Sequence, residues 1–256
     1  MSEETFQVPS DDLIECSCPY CGRKLSVLPT ESGEPIDCPF CGKILLTPSN
    51  EGESAKQLVI PVETARLILR SLRREDNTDL LEIMQDNETM RYVSIPALDL
   101  PDIDEWLARD LDRIFYMDEG PLDLGVELKS APRVIGWVRL HYDDDRPVPG
   151  GRIRLTKVTA VHPGMKFNLL INRNYWRQGF GLEATRSIQE FVFNHLGSRR
   201  LSASFDNRNP AARGLLTKAG FREEGLAYQR SLIHDEWADI AYFAMLKAEY
   251  GDSQAA

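Results

Sequence analysis

The hydrophobic rhythm of the chain changes near residue 59. Beyond it, short runs with an apolar residue at every second position are interleaved with longer runs where apolar residues recur every third or fourth, the periods of strands and helices. The strand period marks RLILRSL (66–72), LDLGVEL (122–128), RVIGWVRLHY (133–142), KFNLLIN (166–172), RRLSASFD (199–206) and EWADIAYFAML (236–246). Helical spacing links Leu80, Leu81, Ile83 and Met84 within 74–93, and Ile103, Trp106, Leu107, Leu111, Ile114 and Phe115 within 100–117. Two further helices are predicted, over 182–196, with Gly197 placed to end it in a left-handed cap, and over 209–219, stopped by Gly220. The result is a mixed α/β pattern. Segment 143–164, rich in Gly and Pro, interrupts it and contains the strand-like RIRLTKVTAV. That segment reads either as a surface hairpin or as a lid whose Asp143, Asp144 and Asp145 attract a cationic amine.

Ahead of this region the organisation is different. Residues 1–12 read as a polar tail, 13–46 hold the cysteines, and 47–58 (TPSNEGESAKQL) have linker composition. The α/β region runs over 59–250, and 251–256 (GDSQAA) read as a frayed end. With 256 residues, 42% apolar and 27% charged, the chain has the composition of a globular protein with a sizeable core. Its formal charge of −10 argues against non-specific binding to nucleic acid or anionic membrane. No run of 18 apolar residues predicts a membrane span, and the polar, acidic start MSEETFQVPS is unlike a signal peptide, so a cytoplasmic protein is expected.

All five cysteines fall within the first 41 residues, which leaves the large region without a disulfide framework. CPYCG (18–22) recurs as CPFCG (38–42), and the pair offers four sulfurs from Cys18, Cys21, Cys38 and Cys41. Two such knuckles suit tetrahedral Zn²⁺, and four thiolates leave no open coordination position, so the metal is structural. Cys16 is the odd thiol; it is able to replace Cys18, but the repeated geometry favours Cys18. Metal binding would supply much of the folding free energy of so short a zinc ribbon. Eight acidic residues against three basic ones in the first 50 speak against phosphate-backbone binding and point to a protein partner or a purely structural role.

The stretch NYWRQGFGLEA (174–184) joins a predicted strand to a predicted helix and places Gly179 and Gly181 one residue apart. Two readings stand side by side. The glycines make a tight turn, or they let an anion approach free amides at a helix N-terminus. No Gly-Lys-Ser/Thr follows, which excludes a Walker loop, and the three-glycine dinucleotide fingerprint is absent.

Three blocks in order resemble the GNAT acetyltransferases, and within them the RimJ/RimL-like branch: TARLILRSLRREDNTDLLEIM, NYWRQGFGLEA and NRNPAARGLLTKAGFREEG. The likeness spans about residues 60–250. It implies an α/β (α+β) GNAT-type fold, with a mixed, mostly antiparallel central sheet flanked by helices. It also implies acetyl-CoA as donor and a primary amine as acceptor, whether a protein N-terminus, a lysine or a small amine. By resemblance the amides of Gln178, Gly179, Phe180, Gly181 and Leu182 hold the CoA pyrophosphate, with Arg177 at its edge. Asn209 bonds the pantetheine arm, and the strand around Leu169, Leu170 and Ile171 splays to pair with that arm and polarise the thioester carbonyl.

The usual acids of the family are absent here. Leu216 stands where many members carry a tyrosine, and Ala212 stands where the RimL-like branch often has a serine. Tyr175 and Tyr242 are the candidate acids that remain, or water serves. Glu127, Asp206 and Asp239 are candidate bases whose ordinary roles would be solvated carboxylates or caps, while Glu183, in a first helical turn, suits the helix dipole. His141, His162, His195 and His234 show no catalytic or metal-binding spacing. The alternative function is a CoA-binding sensor or adaptor with little turnover, its ribbon docking a protein.

Overall fold

The computed structural model describes residues 14–17, 23–27, 35–37, 44–46, 56–57, 61–94, 98–111, 121–143 and 164–255. The chain divides into two compact units, residues 1–59 and 60–256. In the first unit, β1 (Ile14–Ser17) pairs antiparallel with β2 (Lys24–Val27), and β4 (Ile44–Leu46) pairs with both β3 (Pro35–Asp37) and β5 (Lys56–Gln57). Cys16 is buried on β1, opposite Leu25. Cys18, Cys21, Cys38 and Cys41 lie outside the described residues. Lys56 and Gln57, which composition assigns to a linker, form β5 instead; two paired residues are too few to leave a periodic signal.

The second unit is built on one eight-stranded sheet. Its strands are β6 (Val62–Glu63), β7 (Leu67–Ser71), β8 (Leu122–Leu128), β9 (Val134–Tyr142), β10 (Met165–Ile171), β11 (Arg200–Asp206), β12 (Arg222–Ile233) and β13 (Glu236–Leu246). Their spatial order is β12-β13-β11-β10-β9-β8-β7-β6, and every neighbouring pair is antiparallel except β10 and β11. Those two are joined through helix α4 (Phe180–Glu190), the crossover that a parallel pair requires.

Helix α1 (Asn77–Gln85) packs on β9, and its Leu80, Ile83 and Met84 share a buried cluster with Ile103, Trp106 and Leu107 of α3 (Leu100–Leu111). Pattern alone predicts one helix across 74–93, but Asp86 divides it. Its backbone is extended and its carboxylate accepts from the N–H and hydroxyl of Thr89, which caps the short α2 (Asn87–Met90). Helices α5 (Pro210–Lys218) and α6 (Lys247–Ala255) complete the unit. Residues 251–255, expected to fray, continue α6, and Tyr250 anchors that helix by stacking on Phe193 at 5.0 Å. Among the described residues no helix is long and apolar enough to cross a membrane.

Beneath this framework lies a buried ion cluster. Arg70 of β7 forms a two-pronged pair with Asp76 (2.7 and 2.8 Å) in the turn that starts α1, and its Nε donates to Glu127 of β8. Burial opposes the charge on Arg70, but the two carboxylates outweigh it and raise its pKa further.

Candidate active site

The parallel pairing of β10 and β11 lasts for only two residue pairs, Met165 with Leu201 and Lys166 with Ser202. Past them the strands separate and a cleft of about 540 Å³ opens. Phe167 to Leu170 line one side, Ala203 to Asp206 the other, and Asn209, Ala212, Leu215 and Leu216 of α5 and its cap close the end.

Ladder parity decides which backbone groups face the gap. Asn172 N–H donates to Ile135 C=O (2.8 Å), and Gly164 C=O accepts from Asp143 N–H (3.0 Å), so both positions point at β9. Orientation alternates along an antiparallel ladder. The amides of Leu170 and Asn168 are therefore committed to β9, whereas those of Leu169 and Ile171, beyond the last parallel pair, face the space where β11 has turned away. The carbonyl of Ile171 is taken outside the β9 ladder, accepting from the indole N–H of Trp176 (2.6 Å).

The glycine turn follows directly. Arg177 (φ 59°) and Gly179 (φ 85°) adopt left-handed backbone, and Gly179 caps α4. The first bond of that helix runs from Glu183 N–H to Gly179 C=O (3.0 Å). By helix geometry the amides of Phe180, Gly181 and Leu182 have no partner in the ladder and sit at its positive end. The two glycines serve different ends. Gly179 is needed for its φ. Gly181 has an ordinary φ, and among the described residues a Cβ there would meet only Leu215 at 3.7 Å, ordinary contact that does not demand a glycine.

Glu183 accepts from Arg66 N–H (2.9 Å), Arg66 Nε (2.7 Å) and the Thr64 hydroxyl, tying α4 to the turn before β7. Burial alone would raise the pKa of this carboxyl, but the bonds from Thr64 and Arg66 lower it overall. Arg66 also donates to Gln178 C=O (3.0 Å) and lies over the Phe180 ring. On the opposite side of the turn, Glu82 of α1 accepts from Asn172 (2.7 Å) and Asn174 (3.2 Å). The loop is thus clamped from two sides.

A family model described as an acetyltransferase (GNAT) domain matches residues 66–222, more than half of the chain. The chain belongs to the GNAT acetyltransferase family. A curated relative, the uncharacterized N-acetyltransferase YoaA of Bacillus subtilis (strain 168), is 24% identical over 66% of this chain and 86% of its own. Among solved structures, a GNAT-family acetyltransferase from Bacillus anthracis superposes with a TM-score of 0.60 at 18% identity, covering 73% of this chain and 98% of that one. A spermidine N-acetyltransferase from Vibrio cholerae, solved with CoA and spermine, gives 0.58 at 20% identity over 73% and 99%. These likenesses show the fold, and family membership makes the protein an acyl-CoA-dependent N-acetyltransferase with acetyl-CoA as co-substrate.

Within the GNAT domain, the residues singled out in the sequence fall into separate places. Arg177 to Leu182 form the turn, and Leu170 and Asn209 line the cleft. Asn209 Oδ1 accepts from Ala212 N–H (3.0 Å) as the cap of α5, which leaves its amide NH₂ as the group to offer a ligand. Ala212 and Leu216 do face the cleft, without an acid. Tyr242 lines it as well. Tyr175 instead packs edge-on against Phe180, and Glu127 belongs to the Arg70 cluster; neither is among the cleft-lining residues. Asp206 lines the cleft, but its carboxylate accepts from Arg208 N–H (2.9 Å), Nε (3.0 Å) and Nη2 (2.8 Å). Asp239 accepts from Gln229 N–H (2.8 Å).

Sequence spacing gave no signal for His141, yet the cleft contains it. His141 sits on β9 opposite Lys166 of β10, and both line the cleft with Arg139. Its Nδ1 is 3.0 Å from Tyr142 C=O. A carbonyl oxygen only accepts, so Nδ1 carries the hydrogen and Nε2 keeps a lone pair. Burial lowers the imidazole pKa below 6.5, and the charges of Lys166 and Arg139 add to it; together they outweigh the bonds to Tyr142 C=O and the Asn168 side chain, which favour the protonated ring, so the neutral form prevails at pH 7. Parity is the only sequence clue to this arrangement: Arg139 and His141 alternate with buried Val138 and Leu140.

Proposed function

We propose that the cleft transfers acetyl from acetyl-CoA to a primary amine by direct attack, with both substrates bound together. The observation that carries this reading is the early end of the β10–β11 ladder beside the clamped glycine turn. The free amides of Phe180, Gly181 and Leu182, with those of Gln178 and Gly179, hold the pyrophosphate at the start of α4, and Arg177 adds charge at its edge. The Asn209 amide bonds the pantetheine arm. The amides of Leu169 and Ile171 stand in for the missing strand pairing, one of them stabilising the oxyanion of the thioester carbonyl. Leu170 contributes its side chain to the wall.

The amine arrives as an ammonium and gives one proton to Nε2 of His141. Its nitrogen then bonds to the carbonyl carbon and the C–S bond breaks. The remaining surplus proton on nitrogen ends on the CoA thiolate, directly, through water or through Tyr242, giving an amide and the free thiol. With a thiol pKa of about 8.5, the thiolate leaves without a dedicated acid, in keeping with Ala212 and Leu216 at the family's acid positions.

Gly181→Asp tests the pyrophosphate site. A carboxylate in the first turn suits the helix dipole and should leave stability unchanged or slightly raised. Facing a pyrophosphate, it should weaken acetyl-CoA binding by roughly 2–3 kcal/mol, a factor of about 30–150. Calorimetric titration with acetyl-CoA measures this, and unchanged affinity in a folded variant would remove the site. Binding by the wild-type protein without thiol release, whatever amine is offered, would favour a CoA sensor over an enzyme.

For the first unit we infer a structural Zn²⁺ held by Cys18, Cys21, Cys38 and Cys41, giving a ribbon suited to docking a protein partner. Supporting this, each CPxCG stretch falls in sequence between two strands that pair antiparallel, β1 with β2 and β3 with β4. Metal analysis should find one zinc per chain. Replacing Cys18 and Cys38 by Ser should abolish it and unfold this unit while the acetyltransferase unit keeps its thermal transition. Loss of both transitions would show that the units do not fold separately.

A further inference from the structure

We propose that the acceptor amine carries an anionic group, a carboxylate or a phosphate, received by Arg139 and Arg230 beside Lys166. This rests on the acyl-transfer reading above. Although the chain has a formal charge of −10, the charged side chains among the described residues lining the cleft are Arg139, Lys166 and Arg230 against the single carboxylate of Asp206. A site for a polycation needs carboxylates free to receive it. Asp206 is almost fully buried, and Arg208 occupies it from three donors.

The guanidinium of Arg139 is held in place by the fold. Asp123, buried on β8, accepts from Arg139 Nε (2.8 Å), Arg139 Nη2 (2.8 Å) and the indole N–H of Trp137 (2.8 Å). The guanidinium of Arg139 also lies 4.8 Å from the Trp137 ring. Asp123 takes two of its five N–H donors, and a guanidinium so fixed gives up little freedom when it binds an anion. Arg230 comes from the other side, on β12, where the register with β13 shifts between Ala227 and Ser231. Such a bulge re-aims the side chains around it. Gln229 there has φ 45°, an uncommon state for a residue other than glycine, and Asp239 pins it through the backbone N–H. Lys166, opposite His141, lies with its ammonium 5.9 Å from the Tyr242 ring. The lowered pKa of His141, to which Lys166 and Arg139 both contribute after burial, reflects the same positive field.

The test uses the full chain saturated with acetyl-CoA and amines in matched pairs: β-alanine against β-alaninamide, and phosphoethanolamine against ethanolamine, with spermidine as the cation. Thiol release is measured, with rates expressed per neutral amine. The anionic member of at least one pair should exceed its match in kcat/KM by about tenfold or more, and the pair that responds tells carboxylate from phosphate. Arg230→Ala should pull that ratio toward one, and Arg230→Glu should favour spermidine. Equal rates within both pairs, a preference for spermidine by the wild type, or a ratio untouched in Arg230→Ala overturns the proposal. Calorimetric titration of the same amines into the CoA-saturated protein reads the preference without turnover. Absence of thiol release with every amine would therefore defeat the acyl-transfer reading, while the calorimetric ratio still decides for or against the anion site.

Discussion

Replacing His141 by Gln should lower kcat about a hundredfold or more while acetyl-CoA binds as before. Among the described residues lining the cleft, the imidazole is the one that offers a basic nitrogen lone pair on a neutral group. Its Nδ1 hydrogen is bound to Tyr142 C=O, and burial holds its pKa below 6.5. Glutamine preserves the size and a hydrogen bond but cannot take a proton, and positioned general bases are worth about 10² or more in rate. The pH profile separates this role from a structural one. Between the imidazole and amine pKa values the wild-type log kcat/KM should be level, because the ammonium that binds hands its proton to the neutral ring. Below the imidazole pKa, which lies under 6.5, it falls with a slope of one as the ring itself is protonated. In the variant the ammonium must lose its proton to water before attack, so a slope of one should begin at the amine pKa and continue unbroken. A level region ending in a limb below pH 6.5 that survives in His141→Gln would assign the base elsewhere.

Arg70→Met should destabilise the acetyltransferase unit by about 3–5 kcal/mol, the usual cost of stranding buried charges. The side chains of Arg70, Asp76 and Glu127 are 9%, 7% and 12% exposed, so water cannot take over the role of the guanidinium. For a unit of this size the loss corresponds to a fall of about 6–20 °C in Tm. Adding Asp76→Asn and Glu127→Gln should recover much of it, since neutral amides cost less to leave buried. The same series decides the role of Glu127. If it only balances Arg70, Glu127→Gln lowers Tm and leaves kcat near that of the wild type. A collapse of kcat with an unchanged Tm would restore it as a base.

Legibility in the sequence followed burial. Strands β7 to β11 and β13 alternate because one or both faces are covered, and each stands in the sequence as a run of the right period. Strand β12 is as long as any of them, yet its pattern predicts nothing. It lies at the sheet edge with almost every residue exposed, so no apolar alternation is required of it, and Leu226, Tyr228 and Leu232 stand in solvent. The break at Asp86 was hidden for a related reason: a cap is one side chain bonding to one amide, and the apolar spacing on either side continues across it. Trp237 is mostly exposed near the tip of the β12–β13 hairpin.

The sequence by itself determined the local chemistry: the glycine turn at the start of α4, the Asn209 cap with its proline, and the family to which these motifs belong. Each depends on residues within a few positions of one another, where backbone geometry leaves little choice. Only the tertiary structure decided which candidates meet. Glu127 and Asp206 read alike along the chain, but one is consumed by Arg70 and the other by Arg208. His141 and Arg139 share a face of β9 by strand parity, but Arg230 is far from them in sequence and joins them because β9, β10 and β12 border the same gap. Long-range strand pairing brings such side chains within reach of one another, and the register that does so is set by burial summed over the whole sheet, which no local window contains.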